Sequence, residues 1–257
     1  QMFGSCVNLI GFSATDLPDT SLLTSMQSTF AFAINFNYDI SNWDVSNVTN
    51  MIAVFFNTNA YNKPLNSWDV SNVLNMSQMF RRADAFDQPL DNWDVSSVEN
   101  MQSMFAGAEI FNQNIGAWRM NNVTVTSGML SSTPEFNNGG SDSIKDWNVS
   151  SVINMNAMFS YAFSFNQPLT NWDVSNVTTM REVFRVSIFD QPLNNWDVSS
   201  VLRMFGMFNG AVFNQELSNW DTSNVTTFRN MFKDNTFFDR DISNWDVGSA
   251  TTMDSMF

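Results

Sequence analysis

The sequence predicts an α/β repeat solenoid, each repeat supplying one short parallel strand and a short helix or pair of helical turns. Three observations predict it. All nine tryptophans fall in one register, Trp43, Trp68, Trp93, Trp118, Trp147, Trp172, Trp196, Trp220 and Trp245, at steps of 25, 25, 25, 29, 25, 24, 24 and 25 residues. Around each, apolar residues alternate, and after that they recur at three-and-four spacing. Residues 1–257 are therefore expected to form a single solenoid of about ten repeats, and the stop in mid-repeat at Met256-Phe257 without a polar cap marks them as a segment of a longer chain.

The elements follow in order along one unit. Leu90, Trp93 and Val95 read Leu-x-x-Trp-x-Val, an alternation that predicts the strand. Val98, Met101, Met104, Phe105 and Ala108 lie on one face at helical spacing and predict the helical segment. Phe111 and the Asn-Gln-Pro-Leu type stretch make the return, where proline fixes the backbone. Tryptophan, valine, methionine and phenylalanine should stack as inner columns, and the recurring Asn, Asp or Gln of the return should form side-chain ladders to backbone.

The departures are as informative as the period. An early copy begins at Pro18 in the tryptophan slot, and Met2 to Leu9 look like the tail of another, with Cys6 in the alanine slot. The unit after Trp118 has Arg119 for aspartate and Thr126 for methionine, and it gains an inserted loop at 137–142, the first place to look for a specific function. The units after Trp172 and Trp196 are one residue short near Ser187 and Val212.

The pattern Leu-x-x-Trp-x-Val-Ser-x-Val-x-x-Met-x-x-Met-Phe-x-x-Ala resembles the leucine-rich-repeat variant of BspA-like surface proteins. More closely, it is similar to the "WDVSNVTNMxxMF" repeat of bacterial and protist surface proteins. The resemblance covers Pro18 to Phe257 and implies a leucine-rich-repeat-like fold, cell-surface exposure, and adhesion or scaffolding.

Composition excludes several functions. There are 25 Asp and Glu against 11 Lys and Arg, so nucleic acid is not an expected partner. With no histidine there is no Ser-His-Asp or Cys-His arrangement, and one cysteine rules out a Cys-rich zinc site or an internal disulfide. No phosphate-binding glycine loop and no transmembrane run is present. The chain is read as non-enzymatic.

Candidate sites carry two readings each. Tryptophans at fixed period are read as core, against sugar-stacking platforms. Asp44, Asp69, Asp94, Asp173, Asp197, Asp221 and Asp246 should form an exposed column, interrupted by Arg119 and Asn148. Each carboxylate either accepts from backbone N–H groups of the following turn or shares a divalent cation such as calcium, the cofactor considered. Sequons at Asn47, Asn75, Asn122, Asn148, Asn176 and Asn224 are glycosylation candidates, against a turn-capping role.

The expected function is a non-catalytic extracellular, cell-surface repeat protein: structural scaffold, filament component or adhesion surface. The alternative is a calcium- or glycan-binding module using the exposed face of the parallel sheet. Expected partners are other copies or further repeats of the same chain at the ends, and host or matrix proteins or glycans.

Overall fold

The computed structural model describes residues 5–12 and 19–257, so Met2 and Pro18 lie outside the described residues. Among those described there is no α-helix and no β-strand. The helical elements are two short 3-10 segments, Asn138–Gly140 and Asp142–Asp146. This corrects the predicted α/β solenoid, and the resemblance to leucine-rich-repeat proteins falls with it, because each of their coils contributes a strand.

The period is realised in turns instead. Successive coils touch through isolated parallel bridges, one per step, running Ser25, Asn50, Asn75, Asn100, Val125, Asn154, Thr179, Arg203, Thr227, Thr252. The chain around Trp93 never stays extended long enough to make a strand. The Trp93 N–H donates to the Leu90 carbonyl and the Val98 N–H to the Val95 carbonyl, so two three-residue closures follow one another.

The segment predicted as helix fails for a different reason. Met104, Ala106 and Ala108 donate to the carbonyls of Met101, Ser103 and Phe105, three residues back. The intervening N–H groups of Met101, Ser103, Phe105 and Gly107 instead donate to Val125, Ser127, Met129 and Ser131 of the next coil, at 2.8–3.0 Å. That division requires the backbone to change hand, and Ser103 and Gly107 take φ of +53° and +74°. Left-handed residues stand in the same two slots of the neighbouring coils, Gln78 and Arg82 before, Gly128 and Ser132 after. Every backbone donor is satisfied, half within the coil and half across it, without a helix.

The inward face matches the apolar spacing. Val98, Met101, Met104, Phe105 and Ala108 are fully buried, within one hydrophobic cluster that runs from Met26 to Met256. Inside a coil, rings pair closely, Phe80 with Phe86 at 4.1 Å and Phe105 with Phe111 at 4.1 Å. Between coils, Phe80 stacks on Phe105 at 5.4 Å and Phe86 on Phe111 at 6.1 Å. Leu130 replaces phenylalanine in the unit after Trp118 and interrupts one column, while Phe111, Phe136 and Phe165 carry the other through at 6.0 and 5.9 Å. These ring contacts add to the area each side chain removes from water.

Candidate turn-face groove

The tryptophans line the inside and are at most 7% exposed, so they offer no platform to a sugar ring. From Trp68 to Trp245 each indole N–H donates to a carbonyl of the preceding coil, as Trp93 does to Leu65 at 2.9 Å, which satisfies its one polar atom.

The aspartates are exposed but committed. One Asp44 carboxylate oxygen accepts from the Ser46 N–H at 3.0 Å and its hydroxyl at 2.7 Å. Asp69, Asp173 and Asp197 hold Ser71, Ser175 and Ser199 in the same way. Asp94, Asp221 and Asp246 accept the N–H of Ser96, Ser223 and Gly248. The serine hydroxyl, and then its N–H, holds the carboxyls of Asp44, Asp94, Asp173 and Asp221 below the usual 3.8. Asn148 accepts both the N–H and the hydroxyl of Ser150, at 3.1 and 2.7 Å, so an oxygen acceptor makes these bonds without a charge. Among the described residues no three acidic or cysteine side chains converge where they could hold a metal ion.

The sequon asparagines also face neighbouring coils. The amide nitrogens of Asn47, Asn122, Asn176 and Asn224 donate to the carbonyls of Ser21, Ser96, Ser150 and Ser199 at 2.7–2.9 Å. Asn75 sits at a bridge and accepts the Ser77 N–H, and Asn148 is the acceptor just described. The inserted loop is tied down as well: Asn138 is buried, accepts the Ile115 N–H at 2.9 Å and donates to the Ser141 carbonyl at 2.9 Å.

The functions expected from a sheet are corrected here. No strand exists among the described residues to present a sheet face. The carboxylates proposed for calcium each give one oxygen to their own turn and do not converge in threes among the described residues, and the scaffold, filament, adhesion and glycan readings that rested on a leucine-rich-repeat surface lose that basis.

What the sequence reading missed is the side of the stack formed by the alternating turns. It holds a shallow concavity of about 1260 Å³ spanning the coils from Asn57 to Phe163. Its floor is small: Ser103, Ala106, Gly107, Ser127, Gly128 and Ser131. Arg81 and Arg82 stand at one end, with Arg81 stacked 5.5 Å from the Phe56 ring centre. Neither arginine has a salt bridge among the described residues. The other end carries Tyr161 and Phe163, and Phe163 is 51% exposed.

Positive charge is enriched in one stretch of the repeat. The segments of up to eight residues that begin at each bridge residue, from 25–32 to 252–257, carry Arg81, Arg82, Arg181, Arg185, Arg203, Arg229 and Lys233. They hold Glu182, Asp234 and Asp254 of the acids, while Asp84, Glu109 and Glu135, just beyond these segments, also line the groove. A tally of charge by repeat slot would have found this in the sequence.

No catalytic constellation is present among the described residues, and no helix there is long and apolar enough to cross a membrane. No curated protein matches the chain. A crystal structure of an internalin from Listeria monocytogenes aligns with 81% of this chain and 81% of that one, at 11% identity and a TM-score of 0.23, too low to bear on fold or function. The family model described as "Mycoplasma protein of unknown function, DUF285" matches residues 1–118, 64–143, 110–212 and 185–257, and since these segments together span the sequence, the chain belongs to that family.

Proposed function

We propose that this is a non-catalytic recognition protein that binds an extended polypeptide along the turn-face groove. The observation that carries the reading is the groove's construction, a floor of Ser, Gly and Ala between an arginine pair and an aromatic pair. Small side chains let another backbone approach closely, and their hydroxyls offer hydrogen bonds to it. From Arg82 to Tyr161 the floor crosses three coil steps, roughly 15 Å, which four or five residues of extended chain would span. Arg81 and Arg82 suit a carboxylate at one end of such a segment, and Phe163, half exposed, suits an apolar side chain at the other.

We further propose that the protein works outside the cell. Backbone ladders and ring columns carry the fold, and these stand in an oxidising medium as well as in a reducing one. Labelling intact cells with a membrane-impermeant amine reagent checks this, and protection of the protein until lysis would count against it.

The groove is tested by selecting peptides from a displayed random library on the purified protein, then repeating the binding with Ala106→Trp and Ser131→Trp. Both side chains are half-buried at the floor, so a large ring there fills the groove without entering the core. Loss of peptide binding with an unchanged unfolding midpoint is expected. Unchanged binding in both variants would overturn the reading.

A further inference from the structure

Three later coils of the same face hold a second concentration of positive charge. Arg181, Phe205 and Arg229 occupy one slot in consecutive coils. The Phe205 ring is flanked by both guanidiniums, 5.4 Å from Arg181 and 5.9 Å from Arg229. Stacking uses the face of a guanidinium and leaves its in-plane N–H fork free to take a carboxylate. Arg203, at the bridge position of the middle coil, and Lys233, on the third, are exposed beside this tier.

Arg185 is neutralised by Glu182 at 3.2 Å, but among the described residues Arg181, Arg203, Arg229 and Lys233 take part in no salt bridge. The chain has 25 acids with which they could have been paired. These four cations, gathered on three coils of an acidic protein, repel one another, and stacking on Phe205 steadies Arg181 and Arg229 without pairing their charge.

We infer that this tier binds the acidic stretch of an extended polypeptide, Arg181 and Arg229 each holding one carboxylate. Two coil steps set the forks about 10 Å apart, and in an extended chain of polyproline II form, with three residues per turn and about 3.1 Å per residue, side chains three residues apart lie on one face at about the same separation. Nucleic acid fits less well. The ring that could stack on a base has an arginine against it from the coil before and the coil after, and a chain of net charge −14 repels a dense polyanion. The inference rests on the reading of the turn face as a polypeptide-binding surface, and it adds the chemistry of the ligand.

The test is fluorescence anisotropy with a labelled peptide of repeated Asp-Gly-Ser triplets, the same peptide with Asn for Asp, and a single-stranded oligonucleotide. The aspartate peptide should bind at least about tenfold more tightly than its asparagine twin at low salt, and added salt should erase the difference. The double variant Arg181→Gln, Arg229→Gln should abolish that preference, while Arg119→Gln, in the aspartate column, should leave it intact. All three arginines are exposed, so the fold is retained. Equal binding of the two peptides, tighter binding of the oligonucleotide, or an equal loss with Arg119→Gln would each overturn the assignment. So would self-association, in place of peptide binding, that the double variant removes. Ser131→Trp separates the two readings. Library peptides still bound by Ser131→Trp, with acidic preference lost in the double variant, would sink the groove and keep the tier. The reverse would sink the tier alone.

Discussion

Two of the places where each coil turns are built differently. At the Trp-Asp-Val-Ser corner a side chain closes the turn, as when Asp44 holds the N–H and hydroxyl of Ser46 at the surface. In the segment from Met101 to Ala108 the backbone closes its own turns and bonds to the next coil, over buried rings. The corner accommodates Asn148, which supplies the same oxygen acceptor, and Arg119, which supplies none and leaves the turn to the backbone bond from the Val123 N–H to the Met120 carbonyl. The second segment keeps its inner residues apolar because each is packed on the coil before and the coil after. Stability therefore resides in the segment, and sensitivity to pH resides in the corner.

The largest effect should come from breaking a ring column. Phe105 is fully buried, 4.1 Å from Phe111 and 5.4 Å from Phe80, so Phe105→Ala should cost about 3–5 kcal/mol in denaturant unfolding. A loss no larger than that of a corner substitution would erase the distinction.

A smaller effect of opposite sign is expected at Tyr61, which stands in a phenylalanine slot. Its hydroxyl is buried with no hydrogen-bond partner among the described residues, and burial pushes its pKa far above the usual range. Tyr61→Phe should stabilise by about 1 kcal/mol, read as a raised midpoint, because it removes an unsatisfied polar group and keeps the ring.

The smallest effects belong to the corners. Hydrogen bonds from serine lower the pKa values of Asp44, Asp94, Asp173 and Asp221 in the folded state. Their stabilisation is therefore fully present above the ordinary value of 3.8 and is lost as pH falls below it through the lowered values. Asp94→Asn should leave stability at neutral pH nearly unchanged, as the Asn148 corner implies, and make the acid-induced decline shallower. A large loss at neutral pH would show that the charge itself matters.

Much of the packing was legible in the sequence. The Trp93 register and the apolar set Val98, Met101, Met104, Phe105 and Ala108 identify which residues face inward. Secondary structure was not legible, because three-and-four spacing suits a helix and a run of i to i+3 turns equally well. What separates them is backbone hand at Ser103 and Gly107, and side chains report that poorly: glutamine, arginine and serine occupy the same slots in adjacent coils. Gly107, Gly128, Gly206 and Gly210, all at these slots with positive φ, were the available hint. The alternation at Trp93 and Val95 likewise suits a strand or a corner, and the carbonyl of Leu90 decides for the corner. The cations of the turn face are hidden in the net charge of −14 and emerge only slot by slot.

The most direct test of the turn-built coil is the unfolding midpoint of Gly107→Ala. In a helix, alanine for glycine stabilises by about 1 kcal/mol. Here Gly107 has φ of +74°, and an added Cβ would lie 3.2 Å from the Arg82 side chain, so the account predicts a loss of about 1–2 kcal/mol. A raised midpoint would contradict it and restore the helix.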